Sequence, residues 1–237
     1  MRQYGRIPHL PGSRAGADDR HAATALARRC VGDGHDGDRV IVTEKLDGSC
    51  VALVRQDGAI AALGREGRPC ASSRNHGRRA FAAWVASQPA RWAALRDGER
   101  LILEWMVLAH GVRYDLPHEP AVVIDLFDPL GRRAFAEVAA RAAALRLPVA
   151  TVLHDGGPCP VETALAALGP HGRHGALDPP EGVVYRVERA RDGAVLAQAK
   201  YVRPDLIPGR FLADHTGGAD VWNQWTGPFT VAAAAAA

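Results

Sequence analysis

At 237 residues, 47% apolar and 23% charged, the chain has the material for one large globular domain or two small ones, which excludes a disordered or fibrous protein. Its formal net charge of +3 neither demands nor excludes a nucleic-acid partner, because a local patch matters more than the total. No apolar run approaches the ~20 residues of a membrane span, and Met1 is followed by polar Arg2-Gln3, so a cytoplasmic protein with no membrane partner is expected.

Residues 1–19 are rich in Pro, Gly and Asp around Pro8-His9-Leu10-Pro11-Gly12-Ser13 and read as an irregular, packed lead-in. A short helix is predicted over 20–30, stopped by Gly32-Asp33-Gly34. Val40-Ile41-Val42, Thr43-Glu44-Lys45-Leu46-Asp47-Gly48-Ser49 and Val51-Ala52-Leu53-Val54 read as strand, tight turn, strand. This predicts a hairpin over 39–56 with Lys45 at the end of its first strand. Asp57-Gly58 then turns the chain into a third strand over 59–63, making an antiparallel meander. A loop follows, and with the next helix it carries the basic run Arg65, Arg68, Arg74, Arg78 and Arg79.

Phe81, Trp84 and Val85 at helical spacing predict a helix over 78–87, and a second short one is expected over 90–96. Strands are expected over 101–107 with Glu104, and over 121–127. An Ala-rich helix is expected over 133–145, a strand over 149–153 and a helix over 161–168. A strand over 182–187 opens on Glu181, and a last strand over 194–202 carries Lys200. Trp222 and Trp225 read as packing residues, and the terminal run of alanines as a frayed tail. The four cysteines have neither paired nor zinc-site spacing and read as reduced thiols. Antiparallel strands with interspersed helices and no clean linker make the class α+β.

One chemistry needs residues of these kinds in this order. A lysine that attacks a phosphate must lose its proton, which cationic, metal-bound or desolvating neighbours favour. The triphosphate and the charge that develops on it need Lys, Arg and a divalent cation, and the cation needs carboxylates. Lys45 and Arg65, then Glu104, Glu181 and Lys200 supply them. Taken singly, each has a plainer reading: a solvated strand-end charge or an edge-strand guard.

The ordered set Lys45-x-Asp47-Gly48, Glu104, Glu181-Gly182 and Lys200 resembles the ATP-dependent RNA ligase branch of the covalent nucleotidyltransferases, which also include DNA ligases and mRNA capping enzymes. Glu104-Trp105 followed by His110 and Tyr114, Lys200-Tyr201-Val202-Arg203-Pro204-Asp205, and Pro8-His9-Leu10-Pro11 look like that family too. The resemblance covers roughly residues 4–211. It implies an ATP-grasp-like ligase domain of antiparallel sheets flanked by helices, with a nucleotide cleft between them. It implies AMP attached to Lys45, Glu44 on the adenine edge, Arg65 on ribose and phosphate, and Glu104 on ribose hydroxyls. Glu181 would support Mg²⁺ or Mn²⁺. Lys200 would hold the α-phosphate and depress the pKa of Lys45, while Asp47 would order the turn and assist later steps.

Three positions depart from the family pattern. Gln198 stands where many members carry a first lysine, Cys50 where an asparagine is usual, and aliphatic Val122, Val123 and Ile124 where an aromatic stacks on adenine. The expectation is an ATP-dependent polynucleotide ligase joining RNA ends through lysyl-AMP, on RNA, a nicked duplex or an RNA/DNA hybrid. The alternatives are transfer to another acceptor, as in capping, or a nucleotide- or RNA-binding module without sealing activity. Residues 1–211 would form the catalytic domain and 212–237 an extension without a separate OB-fold. The protein would act as a monomer or with a protein partner.

Overall fold

The computed structural model describes residues 3–32 and 37–226; the expected stop at Asp33-Gly34 and the alanine tail lie outside the described residues. In chain order the elements are α1 (Thr24–Val31), β1 (Asp38–Lys45), β2 (Ser49–Gln56), β3 (Ala59–Gly64), α2 (His76–Ala86), β4 (Arg100–Trp105) and β5 (Asp115–Leu116). They continue with β6 (Ala121–Asp128), β7 (Gly131–Arg132), α3 (Phe135–Ala144), β8 (Val152–Gly156), α4 (Val161–Leu168), β9 (Gly182–Arg189), β10 (Val195–Val202) and β11 (Gln224–Trp225). The α+β class and the antiparallel sheets match expectation. The helix expected over 90–96 is only a 3-10 turn, Arg91–Ala94. The helix expected over 20–30 starts late, because Arg20 and Ala22 pair through their backbones with His9, at 2.7 Å each.

Of the two large sheets, one has the order β10-β9-β1-β8 and the other β3-β2-β4-β6-β7, both antiparallel, while β5 and β11 form a small parallel pair. The expected hairpin over 39–56 is therefore corrected: β1 and β2 do not pair. Both edges of β1 are taken by β8 and β9, and both edges of β2 by β3 and β4, so Leu46-Asp47-Gly48 is a crossover between sheets. Leu46 is 3% exposed in an apolar cluster with Met106, Val112 and Tyr114. The Asp47 carboxylate accepts from the backbone N–H of Gly111 (2.5 Å) and Val112 (2.8 Å), tying the crossover to a distant loop rather than to its own turn. A Cβ at Gly48 would sit 2.6 Å from the Trp105 carbonyl oxygen, so only glycine lets β2 leave this close to β4. The hairpin at Asp57-Gly58 joins β2 and β3 as expected.

The largest core lies on one face of the five-stranded sheet, where Phe81, Trp84, Trp92 and Trp105 meet under α2 with ring centroids 5.1–5.9 Å apart. A second core packs α1 and α4 against the four-stranded sheet through Cys30, Ala164, Leu168, Val183 and Tyr185. Trp222 and Trp225 pack against the cores, as expected of packing residues. Asn223 is stitched in more tightly: its side chain accepts from Tyr114 N and donates to the Met106 carbonyl, at 2.8 Å each. A cleft remains between the two sheets.

Candidate active site

The cleft has a volume of about 360 Å³, within the range of small-molecule sites. The last residues of β1 present Glu44 and Lys45 to it, β4 presents Glu104, and the end of β10 presents Lys200. Arg65, one residue beyond β3, completes the set of expected cleft residues. Glu181, just before β9, reaches Lys45: its Oε2 lies 2.5 Å from Nζ. Side chains as far apart in sequence as Glu44 and Lys200 thus converge, because β1 and β9 are neighbours in one sheet and β2 and β4 in the other. Asp47 is the exception, its carboxylate being turned to the Gly111 and Val112 amides.

The charges are buried, and burial sets their behaviour. Lys45 is one-fifth exposed. Burial disfavours its ammonium, but Glu181, Glu104 and Asp47 outweigh that and hold its pKa above the ordinary lysine value. The carboxylates dominate, so the net shift of Lys45 is upward rather than the lowering expected from Lys200. The lowered lysine is Lys200 itself, through burial first and the Lys45 charge second. Burial pushes the Glu104 carboxyl up to about 8 and the Glu181 carboxyl up to about 7, with Lys45 opposing both. Each acid can therefore take or release a proton near neutral pH.

Glu44 is 2% exposed. Its Oε2 accepts from Arg173 N at 2.7 Å, while Oε1 is buried without a partner. Burial raises this carboxyl to about 7. An unpartnered acceptor on the wall of a cleft suits a ligand that brings an N–H donor.

The three departures all border the cleft. Cys50 lies opposite Glu104 in the β2–β4 register, and burial pushes its thiol up to about 12, so it brings neither charge nor an amide. Gln198 is 8% exposed, pairs with Arg186 in the β9–β10 register, and has its Oε1 buried without a partner. Ile124 lines the cleft on the strand where an aromatic was missing, and Phe135, at the start of α3, brings an aromatic ring from elsewhere. Phe135 falls within the helix expected over 133–145, and nothing in its spacing signals a cleft. Its backbone N–H is fixed by the Glu188 carboxylate at 2.7 Å.

Other cleft residues went unforeseen. Arg78, one member of the basic run, reaches the cleft from α2. Arg186 stands in its floor but is committed: its guanidinium donates to Asp125 at 3.0 Å, to Glu188 at 2.7 Å and to the Arg133 carbonyl. No local motif marks Arg186, since its role follows from strand pairing alone.

The donor set also suits a divalent cation bound with phosphates. Among the described residues no three His, Cys, Asp or Glu side chains form a ready metal cage. Mg²⁺-type sites commonly use one or two carboxylates and let phosphate oxygens and water fill the rest, which Glu181 beside the cleft allows.

Comparison with solved structures places the fold. An archaeal ATP-dependent RNA ligase aligns with a TM-score of 0.53 at 18% identity, over 85% of this chain and 48% of that one. A Naegleria gruberi RNA ligase variant solved with ATP and Mn aligns at 0.51 and 18% identity, over 71% of this chain and 50% of that one. Another, also with ATP and Mn, aligns at 0.52 and 16% identity, over 89% and 61%. The chain thus spans about half the length of the first two. No curated protein matches it by sequence. Residues 38–202, from the first residue of β1 to the last of β10, match the RNA ligase family model, so both sheets and the cleft between them fall inside the match and the chain belongs to the RNA ligase family.

Proposed function

We propose that this chain is an ATP-dependent RNA ligase that works through a lysyl-AMP intermediate. The observation that carries the reading is Lys45 Nζ at 2.5 Å from Glu181, in a cleft of nucleotide size that Arg65, Glu104 and Lys200 also line. Glu181 first takes a proton from the Lys45 ammonium; the amine then attacks the α-phosphorus of ATP, and the N–P bond forms as the bond to pyrophosphate breaks. AMP then moves to the 5′-phosphate of an RNA end, and a 3′-hydroxyl displaces it to seal the strand.

Lys200 and Arg65 meet the phosphate charge, Glu104 the ribose hydroxyls, and Glu44 the adenine amino group through its free Oε1. Asp47 holds the crossover that presents Lys45, and through it supports the later steps. Ile124 and Phe135 supply the apolar surface for the base. A Mg²⁺ or Mn²⁺ ion, held at Glu181, would supply charge neutralisation at the phosphates. Residues 1–211 form the catalytic unit, and the described part of the extension, 212–226, packs against it through Trp222 and Trp225; the enzyme serves cytoplasmic RNA repair. No helix among the described residues is long and apolar enough to cross a membrane.

Incubation with α-labelled ATP and Mg²⁺ labels the protein, GTP does not replace ATP, and Lys45→Ala abolishes the label. Label that survives in Lys45→Ala, or none in the wild type, refutes the reading. A second reading, adenylylation without sealing, is favoured by the Cys50 thiol on the cleft wall. A nick-sealing assay with RNA, DNA and hybrid strands separates the two.

A further inference from the structure

We infer that the N-terminal segment, residues 4–14, is the third wall of the cleft and holds Arg65 and Lys200 at a fixed separation, with Ser13 and His9 as positioning residues for Lys200. The inference rests on the adenylylation reading of the cleft. The segment lies outside residues 38–202, the stretch that matches the family, and the catalytic scheme above leaves it without a task.

Its path runs from one sheet to the other. At one end, Tyr4 N donates to the Arg65 carbonyl and Arg65 Nε donates to the Tyr4 carbonyl, at 3.1 Å each. Tyr4 is 6% exposed, packs with Ala52, Val54, Leu63 and Ile102 of the five-stranded sheet, and donates its hydroxyl to Asp125 at 3.2 Å. Tyr4, Gly5 and Ile7 then border the cleft itself. At the other end Leu10, 1% exposed, is buried in the core of the four-stranded sheet. Lys200 N donates to the Pro8 carbonyl at 2.9 Å and Leu10 N to the Lys200 carbonyl at 2.8 Å, so the segment acts as an added parallel partner on the free edge of β10.

The side chains lock that edge. Ser13 Oγ accepts from Val202 N at 2.9 Å, which leaves its hydrogen for His9 Nδ1 at 2.7 Å; the Arg14 carbonyl, at 3.5 Å, is too distant to take it. The His9 proton is then on Nε2, 3.3 Å from Asp19 Oδ2 but not aligned as a hydrogen bond. His9 is 2% exposed, so its ring has one place to sit. Both backbone polar groups of Lys200 and the N–H of Val202 are thus set by residues 8–13. Reactions of phosphates depend on the placement of such cations to within a fraction of an ångström.

The test is single-turnover labelling with α-labelled ATP across ATP concentrations. Ser13→Ala removes the hydroxyl between Val202 and His9 and is expected to lower kcat about ten-fold with KM changed less than about two-fold, because Lys200 acts on charge that builds in the transition state. Ser13→Thr keeps the hydroxyl and is expected to restore most of the rate, with both variants fully folded at the assay temperature. His9→Asn should reproduce the kcat loss. Wild-type rates in Ser13→Ala and His9→Asn, a loss that Ser13→Thr does not restore, or a loss that tracks a lowered melting temperature overturns the inference. Absence of label in the wild type overturns the adenylylation reading and this inference together; normal wild-type label with indifferent variants overturns only this one.

Discussion

Glu44 is a buried carboxylate with one backbone N–H partner and no ion pair among the described residues, so ionising it works against the fold. Burial raises its pKa from 4.5 to about 7, so the folded state binds the proton more tightly than the unfolded chain. The associated stability is complete below pH 4.5 and is lost as pH rises through 7. Glu44→Gln, which keeps an acceptor for Arg173 N, is therefore expected to stabilise the protein by roughly 2 kcal/mol at pH 8 and by nothing measurable near pH 4. Urea unfolding at the two pH values checks this; an equal effect at both would mean that ionisation is not the cause.

At the scale of elements, the crossover Leu46-Asp47-Gly48 decides how the lysine is presented. The Asp47 carboxylate satisfies two amides of the loop at Gly111 and Val112, so Asp47→Ala is expected to destabilise by about 2–3 kcal/mol and to slow adenylylation. Thermal melting beside ATP labelling measures both; a variant that melts normally would show that the crossover is held by other means. The loop between β3 and α2 offers a second element-scale expectation. Arg68 and Arg74 are exposed there without ion pairs among the described residues, continuing outward from Arg65 and Arg78 in the cleft. The double variant Arg68→Ala, Arg74→Ala should adenylylate normally, bind nicked RNA more weakly, and show a salt slope reduced by about two. Unchanged binding across a salt titration would assign these arginines to solvent.

For the whole molecule, the buried His174, hydrogen-bonded to the half-buried His118, adds an acid limit to stability. The Glu119 carbonyl can only accept, so His118 Nδ1 carries a proton and its Nε2 accepts from His174 Nδ1, at 2.7 Å each. His174 Nε2 is then left to accept from Thr151. Protonating the pair breaks this chain, and burial lowers the His174 pKa to about 4. Because the folded value is depressed, the stability is present above pH 6.5 and lost as pH falls toward 4, by up to about 3 kcal/mol. Denaturant midpoints measured between pH 7 and 4.5 should fall in the wild type and stay flatter in His174→Asn; parallel slopes would place the loss at other groups.

Much of this protein was legible before folding. Short, mostly continuous apolar runs bounded by turn residues marked β1, β2, β6, β9 and β10, because a strand covered on both faces leaves that imprint whatever it pairs with. Lys45, Arg65, Glu104, Glu181 and Lys200 were legible because each flanks or ends such a run, where a short local pattern fixes its place. Pairing was not legible: Asp47-Gly48 has the same turn chemistry whether it closes a hairpin or crosses between sheets, and only competition among β3, β4, β8 and β9 for strand edges decided it. The proton balance was hidden for the same reason. The effect of three carboxylates on Lys45 depends on distance and burial, which sequence order does not carry. Residue types and their order were the sequence's own contribution; which face meets which, and so which charges share the cleft, was settled by long-range burial in the folded chain.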